Sequence, residues 1–246
     1  VTGGGIALLR VPIASLGDGS RAAPESAYTR LPSPGGEAWN FHNRFVGDHV
    51  LYGAGSLEEG GARTVVVAPV RGGTPVRLQL AHSVDRIEAL GRDALVVGSG
   101  AGRSLGFSAI ELGGGRVARG DVFTLPAASE GETRSHAFFF RADAADGASG
   151  LLGLPVSRAV DPAYARFFGS AASMLFLRRQ DRRFAPAGEL GADPSGTADD
   201  GCQASCTDWY GNARPIFLRG RIFALLGYEL VEGRFEDGQV RELARV

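Results

Sequence analysis

The sequence predicts an all-β fold built from repeated four-stranded antiparallel units, and three observations lead to this prediction. Glycine supplies 37 of the 246 residues, about twice its usual share, and without a collagen-like period so much glycine indicates many tight turns. Short runs of Val, Ile, Leu and Phe alternate with Gly, Asp and Pro, which is typical of strands separated by turns. Long amphipathic segments with a helical period are hard to find.

The C-terminal stretch shows the repeating unit most clearly. Its predicted strands are residues 214–218, 221–226, 228–232 and 239–246. The last of them alternates between polar and apolar residues, as a half-buried edge strand does. Four consecutive antiparallel strands joined by tight turns form one blade of a β-propeller.

The same unit recurs upstream. The full blades are predicted at about residues 40–81, 82–126, 134–190 and 212–246, with loop insertions at 157–172 and 191–211. A repeat of about 40 residues suits four-stranded blades. An immunoglobulin-like sandwich would also explain short strands, but it would not explain units that each restart with a strand, a Gly/Arg/Asp turn and a second strand. The sequence therefore favours a propeller.

The N-terminal residues 1–35 predict only half of a blade. The stretches 5–13 and 27–31 are interpreted as its third and fourth strands, without a first and second. Val1 is not an initiator Met, and no signal-peptide pattern follows it. We therefore expect a C-terminal part of a larger ring of six to eight blades. A small ring, closed by pairing the N-terminal strands with the last blade, is the alternative.

Two segments carry a resemblance to a known family. The string Val84–Gly98 resembles blades of bacterial secreted β-propeller proteins of the WD40-like superfamily, and Asp208–Gly233 resembles their final blade. The resemblance covers most of the chain at the level of the blade pattern. It implies a propeller fold and a periplasmic, cell-surface or secreted location, but no single activity. The Gly-His and Trp-Asp dipeptides of WD40 repeats are absent from the sequence.

Charge and hydropathy exclude two classes of partner. The chain has 26 basic residues, all arginine, and 27 acidic residues. Because there is no basic excess to neutralise phosphates, a nucleic-acid partner is not expected. No apolar run approaches the ~18 residues of a membrane-spanning helix.

The two cysteines lie close together in an Asp- and Gly-rich loop. Cys202 and Cys206 are interpreted as a disulfide that fixes the loop, in keeping with an oxidising compartment. A metal site is the alternative, but the pair lacks the second ligand pair of a structural zinc site.

Three histidines occupy nearly equivalent positions before the first strands of three blades. His42, His82 and His136 could converge at the mouth of the central channel and bind copper, zinc or iron. The favoured interpretation is that each histidine hydrogen-bonds the backbone of a neighbouring blade as a feature of the repeat.

Arginines recur in the same regions as these histidines, at Arg44, Arg86, Arg134 and Arg214. If they lined the channel, they would attract carboxylate or phosphate groups. The favoured interpretation is structural: acidic neighbours such as Asp85 and Glu88 would pair with them from blade to blade.

Two loops are rich in oxygen ligands. The stretch Asp143–Gly147 and the residues Asp193, Asp199 and Asp200 could bind calcium, but neither loop has EF-hand spacing, so solvated turns are the favoured interpretation. The stretch Val96–Gly102 looks like a dinucleotide-binding turn, yet the predicted strand that follows it excludes the necessary helix.

Two functions are compatible with these patterns. The first is a non-enzymatic scaffold for binding or assembly, with long loops and the residues Trp209, Tyr210 and Arg214 contacting a protein partner or an upstream part of the propeller. The alternative is an enzyme with a metal or other cofactor at the hub near His42, His82 and His136. No cofactor is firmly predicted; calcium and a transition metal are the two candidates.

Overall fold

A computed structural model describes residues 5–15, 17, 22–35, 40–55, 63–158, 171–192, 213–227 and 229–246. The first two strands, β1 (Ile6–Leu9) and β2 (Tyr28–Leu31), form an antiparallel pair that we call the N-terminal pair. All other strands described belong to four antiparallel sheets that follow one another along the chain.

The first two of these sheets have four strands each, in chain order from one edge to the other. The first blade consists of β3 (Asn40–Val46), β4 (His49–Gly55), β5 (Thr64–Pro69) and β6 (Val76–Gln79). The second blade consists of β7 (Arg86–Leu90), β8 (Asp93–Gly100), β9 (Ser104–Glu111) and β10 (Ala118–Leu125).

The third blade has a divided first strand. Its strands are β11 (Ala128–Glu130), β12 (Phe139–Ala142), β13 (Gly150–Arg158), β14 (Ala171–Gln180) and β15 (Arg183–Gly191). Both β11 and β12 pair with β13, with Glu130 opposite Val156 and Phe139 opposite Gly153. Residues 131–138 therefore leave the inner edge and return to it. The sequence did not predict β11.

The fourth blade is the last sheet along the described chain. Its strands are β16 (Ala213–Leu218), β17 (Arg221–Leu226), β18 (Glu229–Glu236) and β19 (Gln239–Arg245). Tight turns at Gly220 and Gly238 have positive φ, which glycine adopts without strain.

Four hydrophobic cores hold the sheets together, one at each junction between chain neighbours. Leu8 and Leu31 of the N-terminal pair pack on Val50 and Tyr52 of the first blade. The other three cores join the first blade to the second, the second to the third and the third to the fourth. Because each middle sheet has neighbours on both faces, its central strands are apolar without interruption, as in Val65-Val66-Val67.

This architecture confirms the predicted fold class. The chain folds as an all-β propeller arc of four-stranded antiparallel blades, preceded by a strand pair that corresponds to half a blade. The inner strand of each blade is the first in the chain, so β3, β7, β11 with β12, and β16 lie nearest the propeller axis.

Candidate functional site

One group of buried charges lies on the inner strands of the first three blades and in the segment between β11 and β12. The group comprises three arginines and three glutamates, which we call the hub cluster: Arg44, Arg86, Glu88, Glu130, Glu132 and Arg134. Their formal charges balance, and four of the six side chains are almost fully buried. A buried charge is tolerated only where it is paired and hydrogen-bonded.

Arg86 is the centre of the hub cluster. Its Nε donates to a carboxylate oxygen of Glu130 in the third blade, and its Nη1 donates to Glu88 Oε1 at 3.0 Å. Its Nη2 donates to the backbone carbonyls of Glu132 (2.8 Å) and Arg134 (2.9 Å). One guanidinium therefore ties β7 to the segment at which the third blade begins.

Arg44 makes the equivalent link between the first two blades. Its Nη2 lies 2.8 Å from Glu88 Oε2. Together with Arg86–Glu130, this contact confirms the predicted blade-to-blade pairing for two of the four arginines. Arg134 lies 3.6 Å from Glu132, while Arg214 is exposed in β16. These arginines thus do not form the bare anion-attracting ring that the alternative required.

Burial perturbs the two central glutamates. It raises the pKa of Glu130 to about 7, although Arg86 acts in the opposite direction. Burial also raises the pKa of Glu88, against the opposing effect of Arg44 and Arg86. Glu130 Oε2 is buried and has no hydrogen-bond partner. A carboxyl placed in this way titrates near neutral pH.

His82 is a structural histidine. Its Nδ1 lies 2.8 Å from the Ser83 carbonyl oxygen, and its Nε2 lies 2.7 Å from Ser108 Oγ. Burial lowers its pKa. A Cβ at Gly106 would lie 2.3 Å from the imidazole, and one at Gly98 would lie 1.9 Å from the Ser83 carbonyl oxygen. These two glycines make room for the chain at His82.

The stretch Val96–Gly102 is not a dinucleotide-binding turn, because strand β9 follows it where such a site needs a helix.

The other two histidines differ from His82. His42 is half-buried on β3, its Nε2 is buried without a hydrogen-bond partner, and desolvation lowers its pKa. His136 is exposed in a single 3₁₀ turn, residues 135–137. Across the part of the chain that the structure describes, no three His, Cys, Asp or Glu residues are grouped to hold a metal ion, so these histidines are not brought together.

Several predicted site residues lie outside the described residues. They are the calcium candidates Asp193, Asp199 and Asp200, the cysteines Cys202 and Cys206, and the aromatics Trp209 and Tyr210. The stretch Asp143–Gly147 is described, and in it Asp143 forms an ion pair with Arg178 at 2.5 Å.

The sequence analysis did not find a second buried ion pair. Arg179 of β14 and Asp93 of β8 are both fully buried, with Nη2 and Oδ2 2.7 Å apart. Arg179 also donates to the Gly147 carbonyl at 2.8 Å, and Arg182 reaches the same Asp93 oxygen at 3.0 Å. The adjacent residues Arg178 and Arg179 at the end of an apolar strand were a signal in the sequence. They do not indicate, however, that the partner of Arg179 lies 86 residues away.

The fourth blade has one apolar face without a described neighbour, which we call the terminal face. Cross-strand register places Ile216 opposite Phe223 and Leu225 opposite Leu230, on the side that turns away from the third blade. Leu218 continues this row and is 58% exposed. Arg221 borders it, with its guanidinium 4.7 Å from the Phe223 ring centroid.

Comparisons with known proteins give distant structural similarity only. No protein-family model matches the chain, and no curated protein matches it. An acylaminoacyl peptidase of Pyrococcus horikoshii aligns at 11% identity with a TM-score of 0.43, covering 82% of this chain and 32% of that chain. The β-propeller domain of the Trilobed protease from Pyrococcus furiosus aligns at 10% identity with a TM-score of 0.39, covering 82% and 56%.

The chain therefore spans about a third of the first of these structures and just over half of the second. Its assignment as a propeller rests on its own sheets and junctions. Among the described residues there is no helix with the length and hydropathy needed to cross a membrane.

Proposed function

We propose that this propeller is a non-enzymatic binding or assembly scaffold of the bacterial secreted, WD40-like type, working outside the cytoplasm. The observation that carries the proposal is the terminal face. Monomeric proteins rarely leave a contiguous row of large apolar side chains exposed, and such rows mark interaction sites. Leu218 and Leu230 are 58% and 37% exposed, beside the partly covered Ile216, Phe223 and Leu225.

The blade junctions support the same role. A scaffold needs fixed geometry, and each junction between full blades has a hydrophobic core. At the first two junctions Arg44–Glu88 and Arg86–Glu130 add links on the inner strands. A partner bound at the terminal face would therefore dock on a preformed surface, which lowers the entropic cost of binding.

Photo-crosslinking in the native cell tests the proposal. A photoreactive residue at Leu218 is expected to give a discrete crosslinked species, because this side chain is 58% exposed on the terminal face. The matched control is Val122 on β10, another exposed apolar residue at 43%. Identical products from both positions, or none from Leu218, would contradict the proposal.

The location outside the cytoplasm has its own test. Cys202 and Cys206 are predicted to form a disulfide, which an oxidising compartment would preserve. Alkylation of the native protein before and after reduction, followed by intact-mass measurement, should add two alkyl groups only after reduction. Two reactive thiols before reduction would argue for a reducing compartment.

A hub enzyme is the second candidate, and one observation favours it. The Nε2 atom of His42 is buried and makes no hydrogen bond among the described residues, so its lone pair is available to a metal ion. Elemental analysis of the purified protein distinguishes the hub enzyme from the scaffold. Near-stoichiometric copper, iron or zinc that is lost in the His42→Ala variant would support the enzyme. Calcium alone would point instead to the Asp-rich loops.

A further inference from the structure

The inner strand of the third blade is interrupted between β11 and β12. Ala128 before the interruption and Phe138 after it are buried in the core between the second and third blades. We call the residues between these two anchors, 129–136, the latch segment. The side chains of residues 133–136 are exposed, so apolar burial does not hold the middle of the segment in place.

Polar contacts with the second blade hold the latch segment instead, and Arg86 makes most of them. Its Nε donates to the Glu130 carboxylate. Its Nη2 donates to the backbone carbonyls of Glu132 (2.8 Å) and Arg134 (2.9 Å). Strand β11 adds only three register pairs with residues 156–158. The position of the segment therefore depends on Arg86.

The Glu130 carboxyl at this contact is poorly matched to its surroundings. Its side chain is 6% exposed, and its Oε2 has no hydrogen-bond partner among the described residues. Burial disfavours the carboxylate most, and it raises the pKa of Glu130 to about 7. From the second blade, Arg86 favours the charged form, whereas Asp85 and Glu88 disfavour it.

The other elements around Glu130 do not supply a partner for Oε2. Strands β8 and β9 present apolar side chains to the third blade, among them Val97 and Leu105. The charged groups on the remaining elements pair with one another, as Arg158–Glu189 of β13 and β15, Arg134–Glu132 of the latch segment and Arg44–Glu88 of β3 and β7. Water is therefore the partner left for an ionised Oε2.

Water reaches Oε2 when the latch segment moves away from the second blade. Glu130 is then hydrated, and its pKa returns to the ordinary value of 4.5. Opening releases a proton at any pH between the two values, so the open form becomes more favourable as pH rises through this interval. Above about pH 7 the carboxyl is ionised in both forms, and the shift levels off.

We propose that the latch segment is a pH-sensitive device: it releases its contacts with Arg86 in a local opening that gives the Glu130 proton to solvent, while the four blades stay folded. The opening exposes the Arg86 guanidinium, which is 4% exposed in the closed form, near the propeller axis. This device goes beyond the proposed function, which concerns the terminal face.

The junction has enough other contacts to stay closed during this opening. The hydrophobic core between the second and third blades does not include the latch segment. At the other end of the junction, the fully buried Arg179 and Asp93 keep their 2.7 Å contact. Arg86 itself keeps Glu88, whose Oε1 lies 3.0 Å from its Nη1. The movement is therefore confined to the latch segment.

Hydrogen exchange of the full chain, followed by mass spectrometry, tests the proposal. Two amides report on the closed segment and its end: Gly131 N–H donates to the Pro155 carbonyl at 2.9 Å, and Ala137 N–H donates to Arg134 at 3.1 Å. Their protection, relative to an unstructured peptide at the same pH, should fall at least tenfold between pH 5 and pH 7. This wild-type measurement needs no variant to fold.

Two observations separate local opening from unfolding of the whole chain. The latch segment should be less protected than β17, and denaturant below the unfolding transition should leave its exchange unchanged, because a local opening exposes little surface. Equal protection of the two regions overturns the proposal, since only global unfolding would then expose Glu130. Protection of the latch segment that does not change with pH also overturns it.

Glu130→Gln identifies the group that releases the proton. This variant keeps the shape of the side chain without its charge, so protection of the latch segment should no longer depend on pH. The matched control is Glu232→Gln, which removes the charge of another arginine-paired carboxylate, on the fourth blade. It should keep the wild-type pH dependence. The same dependence in Glu130→Gln, or its loss in Glu232→Gln, overturns the proposal. None of these results bears on crosslinking at Leu218, so the scaffold proposal keeps its own test.

Discussion

The second and fourth blades both pack against the third, but through different chemistry. On the second-blade side, Arg86 meets Glu130 near the axis, and Arg179 meets Asp93 at the turn that joins β7 to β8. On the fourth-blade side, the Phe217 ring lies 5.4 Å from Phe139 and 6.4 Å from Phe176. Both junctions have a hydrophobic core, to which the first adds buried charge and the second adds aromatic contacts.

The comparison shows that the same arrangement of blades can be stabilised by ion pairs or by aromatic rings. The two kinds of junction should respond differently to substitution. Aromatic side chains contribute stability mainly through the apolar area that they bury, with a smaller gain from ring–ring contacts. A buried ion pair can contribute little net stability. Removal of one partner is nevertheless costly, because it leaves the other charge buried without a counter-charge. The second–third junction should therefore be fragile to single substitutions, whereas the third–fourth junction should respond in proportion to the area lost.

Asp93→Ala should have the largest effect. It leaves the Arg179 guanidinium fully buried without its carboxylate and removes the acceptor 3.3 Å from the Leu112 N–H. The expected loss is about 3–5 kcal/mol in the free energy of unfolding, measured by chemical denaturation.

The control for this substitution is Asp143→Asn, which alters an exposed pair with Arg178. Its cost should stay below about 1 kcal/mol because solvent screens the pair. Equal losses from Asp93→Ala and Asp143→Asn would remove the distinction between the buried and the exposed pairs.

Phe217→Ala should have the next largest effect. The ring contacts two other aromatic rings, and the Arg141 guanidinium lies 5.1 Å from its centroid. The side chain is only partly buried, so we expect a loss of about 2–3 kcal/mol, below the range for a fully buried Phe. Phe45→Ala is the matched control: that ring is more than half exposed, and its loss should cost less than about 1 kcal/mol.

Glu130→Gln should change the pH dependence of stability. The folded pKa of Glu130 is about 7, above its ordinary value of 4.5, because burial disfavours the carboxylate. The folded state therefore binds more protons between these values, and the free energy of unfolding falls as pH rises through them. Relative to the wild type, Glu130→Gln should gain about 2 kcal/mol between pH 5 and pH 8.

Comparison with the variant is needed because other groups titrate with the opposite sign. Burial lowers the pKa values of His42 and His82, so their contribution to stability is lost as pH falls. Those contributions cancel in the difference between wild type and Glu130→Gln. Parallel curves of unfolding free energy against pH would show that Glu130 does not titrate in this range.

The sequence predicted the blades because their pattern is local. Turns such as Gly47-Asp48 and Gly91-Arg92 separate short apolar runs, and each strand pairs with its neighbour along the chain. The prediction missed β11 because Ala128-Ser-Glu130 has no apolar run. This short strand is held by pairing with residues 156–158 of β13, which no local pattern indicates.

The candidate site was only partly predictable, for the same reason. Pairing of inner-strand arginines with Glu88 was predicted because the repeat places like residues at like positions. Glu130 and Glu132 lie in a stretch that the sequence left unassigned, so their part in the hub cluster was missed. Arg179 and Asp93 are joined by tertiary packing between distant segments, which charge patterning along the chain does not record.

Arg44→Gln should have the smallest effect on the free energy of unfolding. It tests most directly whether an exposed partner of a buried charge matters less than a buried one. Arg44 pairs with the same buried Glu88 as Arg86 does, but its own side chain is 42% exposed. When Arg44 is lost, Glu88 keeps its 3.0 Å contact to Arg86 Nη1, and water reaches the vacated position. The expected cost is below about 1 kcal/mol. A loss as large as that of Asp93→Ala would mean that the hub cluster acts as one cooperative unit, so that any of its charges, buried or exposed, is needed to hold the first three blades together.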